Sequence, residues 1–154
     1  MDDPAEAAHA QALKLLARRE HTRSELARKL AQRGIDRQHA DTALQGLVDA
    51  GYLSDTRYAQ ARVTELLRRR YGPLRAQADL RSHGVDSEVI DRVVDTEHPD
   101  WYAACRAVHA QKTGRGEVAA TLAQRARQQR QLQARGFTSS QIRAALTNVT
   151  DDDA

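Results

Sequence analysis

One short pattern occurs three times in the 154-residue chain, at intervals of about fifty residues. Each copy has a leucine, a glycine four positions later, an apolar residue and then a residue whose side chain can cap a helix. The copies are Leu30-x-x-x-Gly34-Ile35-Asp36, Leu80-x-x-x-Gly84-Val85-Asp86 and Leu132-x-x-x-Gly136-Phe137-Thr138. A left-handed glycine commonly ends a helix, and aspartate or threonine commonly begins the next. The pattern therefore predicts three tandem repeats, each containing two helices joined at the glycine.

Other helix boundaries can also be read from the sequence. Thr22 and Glu25 have the spacing of a capping box, and Gly51 ends a helix of the first repeat. Each repeat has a further helix before the glycine pattern: one before Thr22, one that begins near Ser54 and one that begins near Pro99. Alanine, leucine and arginine favour helices, and no stretch is typical of a strand. We therefore expect an all-α chain of nine helices.

Three short helices bury little apolar surface by themselves, so neighbouring repeats should stack and share a core. We predict three tandem three-helix repeats, over residues 1–53, 54–98 and 99–154, stacked into an elongated, curved body. The third repeat ends in an acidic tail, Asp151 to Asp153. The segment from His109 to Gly116 fits the helical pattern least, and it is predicted to be a loop or hinge.

The charge of the chain is unevenly distributed. The formal net charge is +3, but five of the 21 acidic residues lie at the two ends of the sequence. Residues 4 to 150 contain 24 basic and 16 acidic side chains, which is a net charge of +8. This excess favours an anionic partner, such as nucleic acid or an acidic protein surface, although arginines on solvated helix faces are a common alternative.

The sequence offers little for catalysis. The six histidines and the single cysteine, Cys105, lack metal-ligand spacing, and neither a glycine-rich phosphate loop nor a nucleophile elbow occurs. Cys105 lies in the apolar stripe of a predicted helix, where a thiol packs as a small hydrophobe. No apolar run is long enough for a signal peptide or a membrane span. We expect no catalytic residue, no metal and no cofactor, in a protein that is soluble and cytoplasmic.

Residues 50 to 59 read Ala-Gly-Tyr-Leu-Ser-Asp-Thr-Arg-Tyr-Ala. This stretch resembles the central signature of the RecX family: glycine-tyrosine-leucine, an acid, then arginine, an aromatic residue and alanine. The similarity extends from about Leu13 to Val94, with Tyr71-Gly72-Pro73-Leu74 at the expected distance, and the third repeat matches in its general form. Ala76 and Asp79 depart from the family, which more often has a larger aliphatic residue and a glutamate there.

The resemblance implies tandem three-helix repeats and a regulatory protein without catalytic machinery. Members of this family lie in the groove of a RecA filament on single-stranded DNA and restrain filament growth, ATP hydrolysis and strand exchange. The partners implied for this chain are the RecA filament and, weakly and without sequence preference, single-stranded DNA. No membrane partner is expected.

Two other classes of protein remain as alternatives. Thr22 to Leu53 fits the helices of a winged-helix transcription regulator. Residues Ser54 to Tyr71 argue against that class, because they predict a long amphipathic helix where the wing needs a hairpin. A generic helical scaffold, whose charge serves only solubility, agrees with the composition but leaves the signature unexplained.

Helical geometry selects candidate contact residues in the second repeat. Arg57 and Arg68 lie opposite the apolar stripe of the predicted helix, and Arg62 and Arg69 lie on its flank. These four side chains are predicted to be exposed and to bind RecA or DNA, so reversal of their charge should leave the fold intact. Arg70 follows the apolar stripe, and we expect it to fold over the helix end and neutralise the terminal carbonyls.

Further candidates extend this surface into neighbouring helices. They are basic and avoid the apolar positions: Arg75 and Arg81 in the second repeat, and Arg23, Arg28, Lys29 and Arg33 in the first. Tyr52 and Leu53 are expected to pack between the first two repeats, and Asp55 to favour the positive N-terminus of the helix that it opens.

Overall fold

The computed structural model describes residues 3–113 and 121–147. These residues form nine α-helices and no strand, so the predicted all-α tandem-repeat fold is confirmed. The helices are α1 (Pro4–Leu16), α2 (Arg23–Gln32), α3 (Arg37–Asp49), α4 (Asp55–Arg68), α5 (Pro73–Ser82), α6 (Ser87–Val93), α7 (Pro99–Thr113), α8 (Leu122–Ala134) and α9 (Ser139–Thr147). Helix α4 occupies the place where a winged helix needs its hairpin.

The helices begin at the capping residues that the sequence predicts. The Thr22 hydroxyl accepts a hydrogen bond from the backbone N–H of Glu25 at 3.0 Å, and the Asp36 carboxylate accepts one from the N–H of His39 at 2.9 Å. The Ser54 hydroxyl accepts one from the N–H of Arg57 at 3.1 Å. Each bond satisfies a donor that the first turn of a helix leaves unpaired.

The repeated glycines end helices in one common geometry. Gly34, Gly84 and Gly136 have φ values of +83°, +80° and +93°. The apolar residue after each glycine donates its N–H to the carbonyl of the leucine five positions earlier, at 3.1, 3.1 and 3.3 Å. This is the Schellman motif, in which left-handed backbone turns the chain and satisfies a terminal carbonyl. The threefold pattern therefore marks three equivalent helix ends.

Arg70 ends α4 in the same geometry without being a glycine. Its φ is 63°, its N–H donates to the Leu67 carbonyl, and the Tyr71 N–H donates to the Leu66 carbonyl, both at 2.9 Å. The expectation that Arg70 neutralises the end of α4 is wrong, because a different arginine does so. Arg135 donates to the carbonyl oxygens of Arg69 and Arg70 at 3.0 and 3.2 Å.

We expect Arg70→Gly to be more stable than Arg70→Ala by about 1 kcal/mol, since only a Cβ atom makes the left-handed conformation costly. Both substitutions remove the guanidinium, so the alanine variant is a matched control for the loss of the side chain. Urea unfolding followed by circular dichroism measures the difference. Equal midpoints for the two variants would show that the backbone at position 70 carries no strain.

The chain divides into two compact units. The first unit comprises Met1–Ala61 and Leu80–Val93, and the second comprises Arg62–Asp79 and Val94–Ala154. In the first unit α1 packs on α3 over a core of small and branched side chains: Ala8, Ala12, Leu26, Leu30, Ala40, Ala43, Leu44, Leu47 and Leu53. In the second unit α7 packs on α9 over Cys105, Val108, Leu132, Phe137, Ile142 and Ala145.

Two local expectations are wrong. The segment from His109 to Thr113 is the last part of α7 and not a loop, because His109 is buried beside the core residue Val108 and the helix continues through good helix formers. Tyr52 does not pack in a core, since 55% of it is exposed, whereas Leu53 is buried. Residues 114–116 of the proposed hinge and the acidic tail lie outside the described residues.

Candidate functional site

The ten basic residues that the sequence selects lie in both units. The first unit contains Arg23, Arg28, Lys29, Arg33, Arg57 and Arg81, and the second contains Arg62, Arg68, Arg69 and Arg75. Many of these side chains have partners within their own unit. Their availability for an external ligand therefore differs from one residue to the next.

The guanidinium group of Arg57 has three hydrogen-bond partners within the first unit. Its Nε pairs with the Glu20 carboxylate, and its two terminal nitrogens donate to the carbonyls of Gly51 and Tyr52 at 3.1 and 2.9 Å. The guanidinium thus joins the segment before α2 to the turn between α3 and α4. The expectation that Arg57 can be reversed without cost is corrected by these contacts, because a carboxylate at position 57 would face Glu20 and two carbonyl oxygens.

Three other cations of the first unit contact uncharged side chains. Arg23 donates to the Gln45 amide oxygen at 2.9 Å, Arg33 donates to that of Gln11 at 3.2 Å, and the Lys29 ammonium lies 3.3 Å from Nε2 of His21. Arg28 and Arg81 are exposed. The last two are therefore the least constrained cations among the candidates in this unit.

The imidazole of His21 is buried, and its surroundings favour the neutral form. Its Nδ1 lies 3.0 Å from the Arg19 carbonyl, to which a protonated Nδ1 donates, and this leaves Nε2 as the acceptor for Lys29. Burial lowers the pKa of His21, and the positive charges of Arg19 and Lys29 lower it further. A neutral His21 can therefore hold the Lys29 ammonium without repulsion.

Asp55 supports two helices and not only its own. It lies in the first turn of α4, as expected, and its carboxylate also accepts the N–H of Arg23, the first residue of α2, at 2.8 Å. Burial raises the pKa of the Asp55 carboxyl group against the opposing effect of that hydrogen bond. The acidic position of the signature at residues 50 to 59 thus has a structural role.

Arg62 forms a two-point ion pair within the second unit. Its Nε and terminal nitrogen donate to the two carboxylate oxygens of Asp79 at 2.7 and 2.8 Å. The side chains of Arg62 and Asp79 are only 31% and 18% exposed. The expectation that Arg62 is freely exposed is therefore corrected, because the carboxylate of Asp79 in α5 pairs with its guanidinium.

Three arginines gather around Tyr71 in the second unit. The guanidinium carbons of Arg69, Arg75 and Arg135 lie 5.7, 4.3 and 4.5 Å from the centre of the Tyr71 ring. Arg69 and Arg75 are exposed, and Arg135 is half-buried. Arg68, also exposed, pairs with Glu65 one turn earlier in α4. The structure therefore brings together Arg69 and Arg75, which the sequence selected, with Tyr71 and Arg135, which it did not.

A close backbone contact holds the Tyr71 cluster in place. The N–H of Gly72 donates to the Arg135 carbonyl at 2.7 Å, and the N–H of Leu74 donates to the Gly136 carbonyl at 2.9 Å. Tyr71 and Arg135 are therefore fixed by their neighbours in the chain. No periodicity in the sequence relates two positions so far apart, although Gly72 lies in the segment Tyr71 to Leu74 that resembles the family and Gly136 lies in the repeated glycine pattern.

The described residues contain no group of histidine, cysteine, aspartate and glutamate that could hold a metal ion. Burial raises the pKa of the Cys105 thiol to about 12, which keeps it protonated near neutral pH. Within the same part of the chain, no helix combines the length and the apolar character that a membrane crossing requires. Arginine side chains are therefore the groups on the described surface that are best suited to bind a ligand.

Family models match the chain in three consecutive segments. Residues 8–47 match the first three-helix domain of RecX, residues 54–94 the second and residues 99–146 the third. The regulatory protein RecX of Halorhodospira halophila is 44% identical over 148 residues, which are 96% of this chain and 91% of that protein. The regulatory protein RecX of Stenotrophomonas maltophilia (strain R551-3) is 39% identical over 142 residues, or 92% of this chain and 86% of that protein.

Solved structures show the same fold. A crystal structure of RecX from Lactobacillus salivarius superimposes with a TM-score of 0.88 and 17% sequence identity, over 97% of this chain and 99% of that chain. A second crystal structure, of a regulatory protein RecX, gives a TM-score of 0.80 at 20% identity, over 95% of this chain and 72% of that chain. The arrangement of helices is thus shared at low sequence identity.

Proposed function

Because the chain belongs to the RecX family, we propose that it regulates homologous recombination by binding RecA filaments on single-stranded DNA and restraining their ATP hydrolysis. The observation that carries the proposal is the family match, which extends through all three three-helix domains. Relatives that are 44% and 39% identical over most of their length bear the name regulatory protein RecX. A protein with this role acts in the cytoplasm, beside the chromosome.

The electrostatics of the chain are compatible with this role. A filament of RecA on DNA presents phosphates and acidic side chains, and the body of this chain carries an excess of arginine. Arg28 and Arg81 in the first unit and Arg68, Arg69 and Arg75 in the second are exposed, and we propose them as contact residues. We also propose that the three repeats comprise residues 1–53, 54–98 and 99–154. The regulator itself needs no catalytic residues, because RecA is the protein that hydrolyses ATP.

The proposal is tested by titrating the protein into RecA that hydrolyses ATP on single-stranded DNA. We expect the rate of ATP hydrolysis to fall progressively and to lose most of its value as the added protein approaches the amount of RecA. The protein alone should release no phosphate from ATP. A RecA turnover rate that stays constant over the whole titration would contradict the proposal, as would an ATPase activity that copurifies with the protein.

The transcription-regulator alternative makes the opposite prediction about DNA. Tight binding to one duplex sequence that persists at raised salt would support it, because base contacts lose less affinity to salt than phosphate contacts do. Competition between random and selected oligonucleotides distinguishes the two classes.

A further inference from the structure

The Tyr71 cluster concentrates positive charge in a small volume. Three guanidinium groups lie within 5.7 Å of one ring centre. In the part of the chain that the structure describes, none of the three arginines forms an ion pair with a carboxylate, in contrast to Arg62 and Arg68 nearby. The electrons of the ring offset part of the mutual repulsion, and an added anion would offset more. The cluster is therefore arranged to accept an anion.

The three arginines are not equivalent. Arg135 donates to the carbonyls of Arg69 and Arg70, so part of its hydrogen-bonding capacity is already used. Arg69 and Arg75 are exposed, and the planar guanidinium group can bind two oxygens of a phosphate at once. Arg135 therefore positions the cluster, while Arg69 and Arg75 are the groups that can reach a ligand.

Tyr71 orients charge and does not offer a stacking surface. The guanidinium carbons of Arg75 and Arg135 lie 4.3 and 4.5 Å from the ring centre, at distances where they occupy the aromatic face. A base could stack on a face covered by either guanidinium only by displacing it. The ligand is therefore recognised by its negative charge and not by an aromatic surface.

The helix that leads into Arg135 indicates what kind of anion this is. Helix α8 contains three exposed arginines, Arg125, Arg127 and Arg130, and no acidic residue. In the sequence, five arginines and no aspartate or glutamate occur between Glu117 and Asp151. A protein surface usually carries charges of both signs, and its positive side chains would be repelled by this positive region of the chain. A nucleic-acid backbone is negative throughout and is therefore the better match.

We propose that Arg69 and Arg75, held on Tyr71 by Arg135, form a binding site for the phosphodiester backbone of single-stranded DNA. The site rests on the proposed function for its biological setting and deepens it, because it assigns the DNA contact to the second unit. Its recognition is independent of base identity. The acid-free helix α8 adds a positive field that draws the strand to the site.

The double variant Arg69→Gln/Arg75→Gln tests the site by fluorescence anisotropy with a labelled mixed-sequence oligonucleotide. We expect the affinity to fall about tenfold at low salt, and the slope of log K against log salt concentration to decrease in magnitude by about 1.4, since each phosphate contact on a single strand contributes about 0.7. The matched control is Arg18→Gln/Arg37→Gln, which removes the same charge from exposed positions in the first unit that are not among the proposed contact residues. It should change both quantities much less. Circular dichroism checks that both variants are folded.

Two further measurements test the chemistry of the site. An oligonucleotide of abasic residues should bind the native protein about as tightly as the mixed sequence does, because only phosphates are contacted. Tyr71→Phe keeps the ring and should bind as the native protein does, whereas Tyr71→Leu should weaken binding by removing the support of the arginines. A large loss of affinity for the abasic strand would overturn the site, since bases would then be read.

Failure of the site can be told apart from failure of the proposed function. If the double glutamine variant binds DNA like the native protein while the native protein still inhibits RecA, the site is wrong and the function stands. If that variant loses inhibition of RecA but keeps its affinity for free DNA, the cluster contacts acidic groups of the RecA protein instead, which also overturns the site. Absence of native binding to single-stranded DNA at low salt overturns it as well.

Discussion

We expect the substitution of Gly72 by alanine to lower the free energy of unfolding of the second unit by about 4 kcal/mol or more. A Cβ atom at position 72 would lie 2.4 Å from the carbonyl carbon and oxygen of Gly136 and 2.5 Å from the nitrogen of Phe137. All three are backbone atoms, so no side chain can rotate away. Relief of the overlap requires breaking the hydrogen bonds between the two turns, which are 2.7 and 2.9 Å long. Such a cost is at the upper end of what single substitutions produce.

Gly46→Ala is the matched control for Gly72→Ala. Gly46 lies inside α3, and a Cβ atom there would meet nothing within 4 Å. Because alanine is the better helix former, the control should raise stability by about 1 kcal/mol. Urea unfolding gives both changes, and hydrogen exchange of the amides near residues 72 and 136 shows which unit is affected. An unchanged midpoint for Gly72→Ala would mean that the two turns are not in contact.

We expect reversal of the charge at Arg62 to lower the free energy of unfolding of the second unit by about 3 kcal/mol. Arg62→Glu replaces a two-point ion pair with two carboxylates that face each other across α4 and α5. Removal of one partner from a fully buried pair costs about 3–5 kcal/mol, and the partial exposure of Arg62 and Asp79 places the expectation at the low end of that range. Thermal and urea unfolding measure the loss.

Two variants control for this effect. Arg68→Glu carries the same reversal on the same helix at a side chain that is 76% exposed, and it should change stability by only about 0.5 kcal/mol. The exchange Arg62→Glu/Asp79→Arg restores opposite charges and should recover part of the loss, as a double-mutant cycle would measure. Equal stability of Arg62→Glu and Arg68→Glu would contradict a structural role for Arg62.

These contacts change how a binding surface should be mapped. A fourfold reversal of Arg57, Arg62, Arg68 and Arg69 would disturb two intramolecular networks, and its loss of RecA inhibition would be uninformative. Arg68 and Arg69 are better reporters of binding: both are exposed, and among the described residues Arg68 pairs only with Glu65 of its own helix and Arg69 pairs with no carboxylate.

Helix boundaries and repeat periodicity were determined by the sequence itself. A capping bond joins residues three apart, as from Thr22 to Glu25, and a Schellman turn joins residues five apart, as from Leu30 to Ile35. Such local interactions are visible in a short window of sequence, and the glycine pattern showed three of them. The exception is Arg70, which adopts the conformation of a glycine, and helical periodicity does not reveal a left-handed residue of another type.

Only the tertiary structure decided which arginines are available to a ligand. Glu20 is 37 residues from Arg57, Asp79 is 17 residues from Arg62, and Arg135 is 65 residues from the Arg70 carbonyl to which it donates. A helical wheel shows the direction of a side chain from its own axis, but it contains nothing about the helix or turn that packs opposite. Whether an arginine on a given helix flank is free or ion-paired depends on which side chains the fold places near it. Electrostatic interaction depends on distance in space and not on separation along the chain.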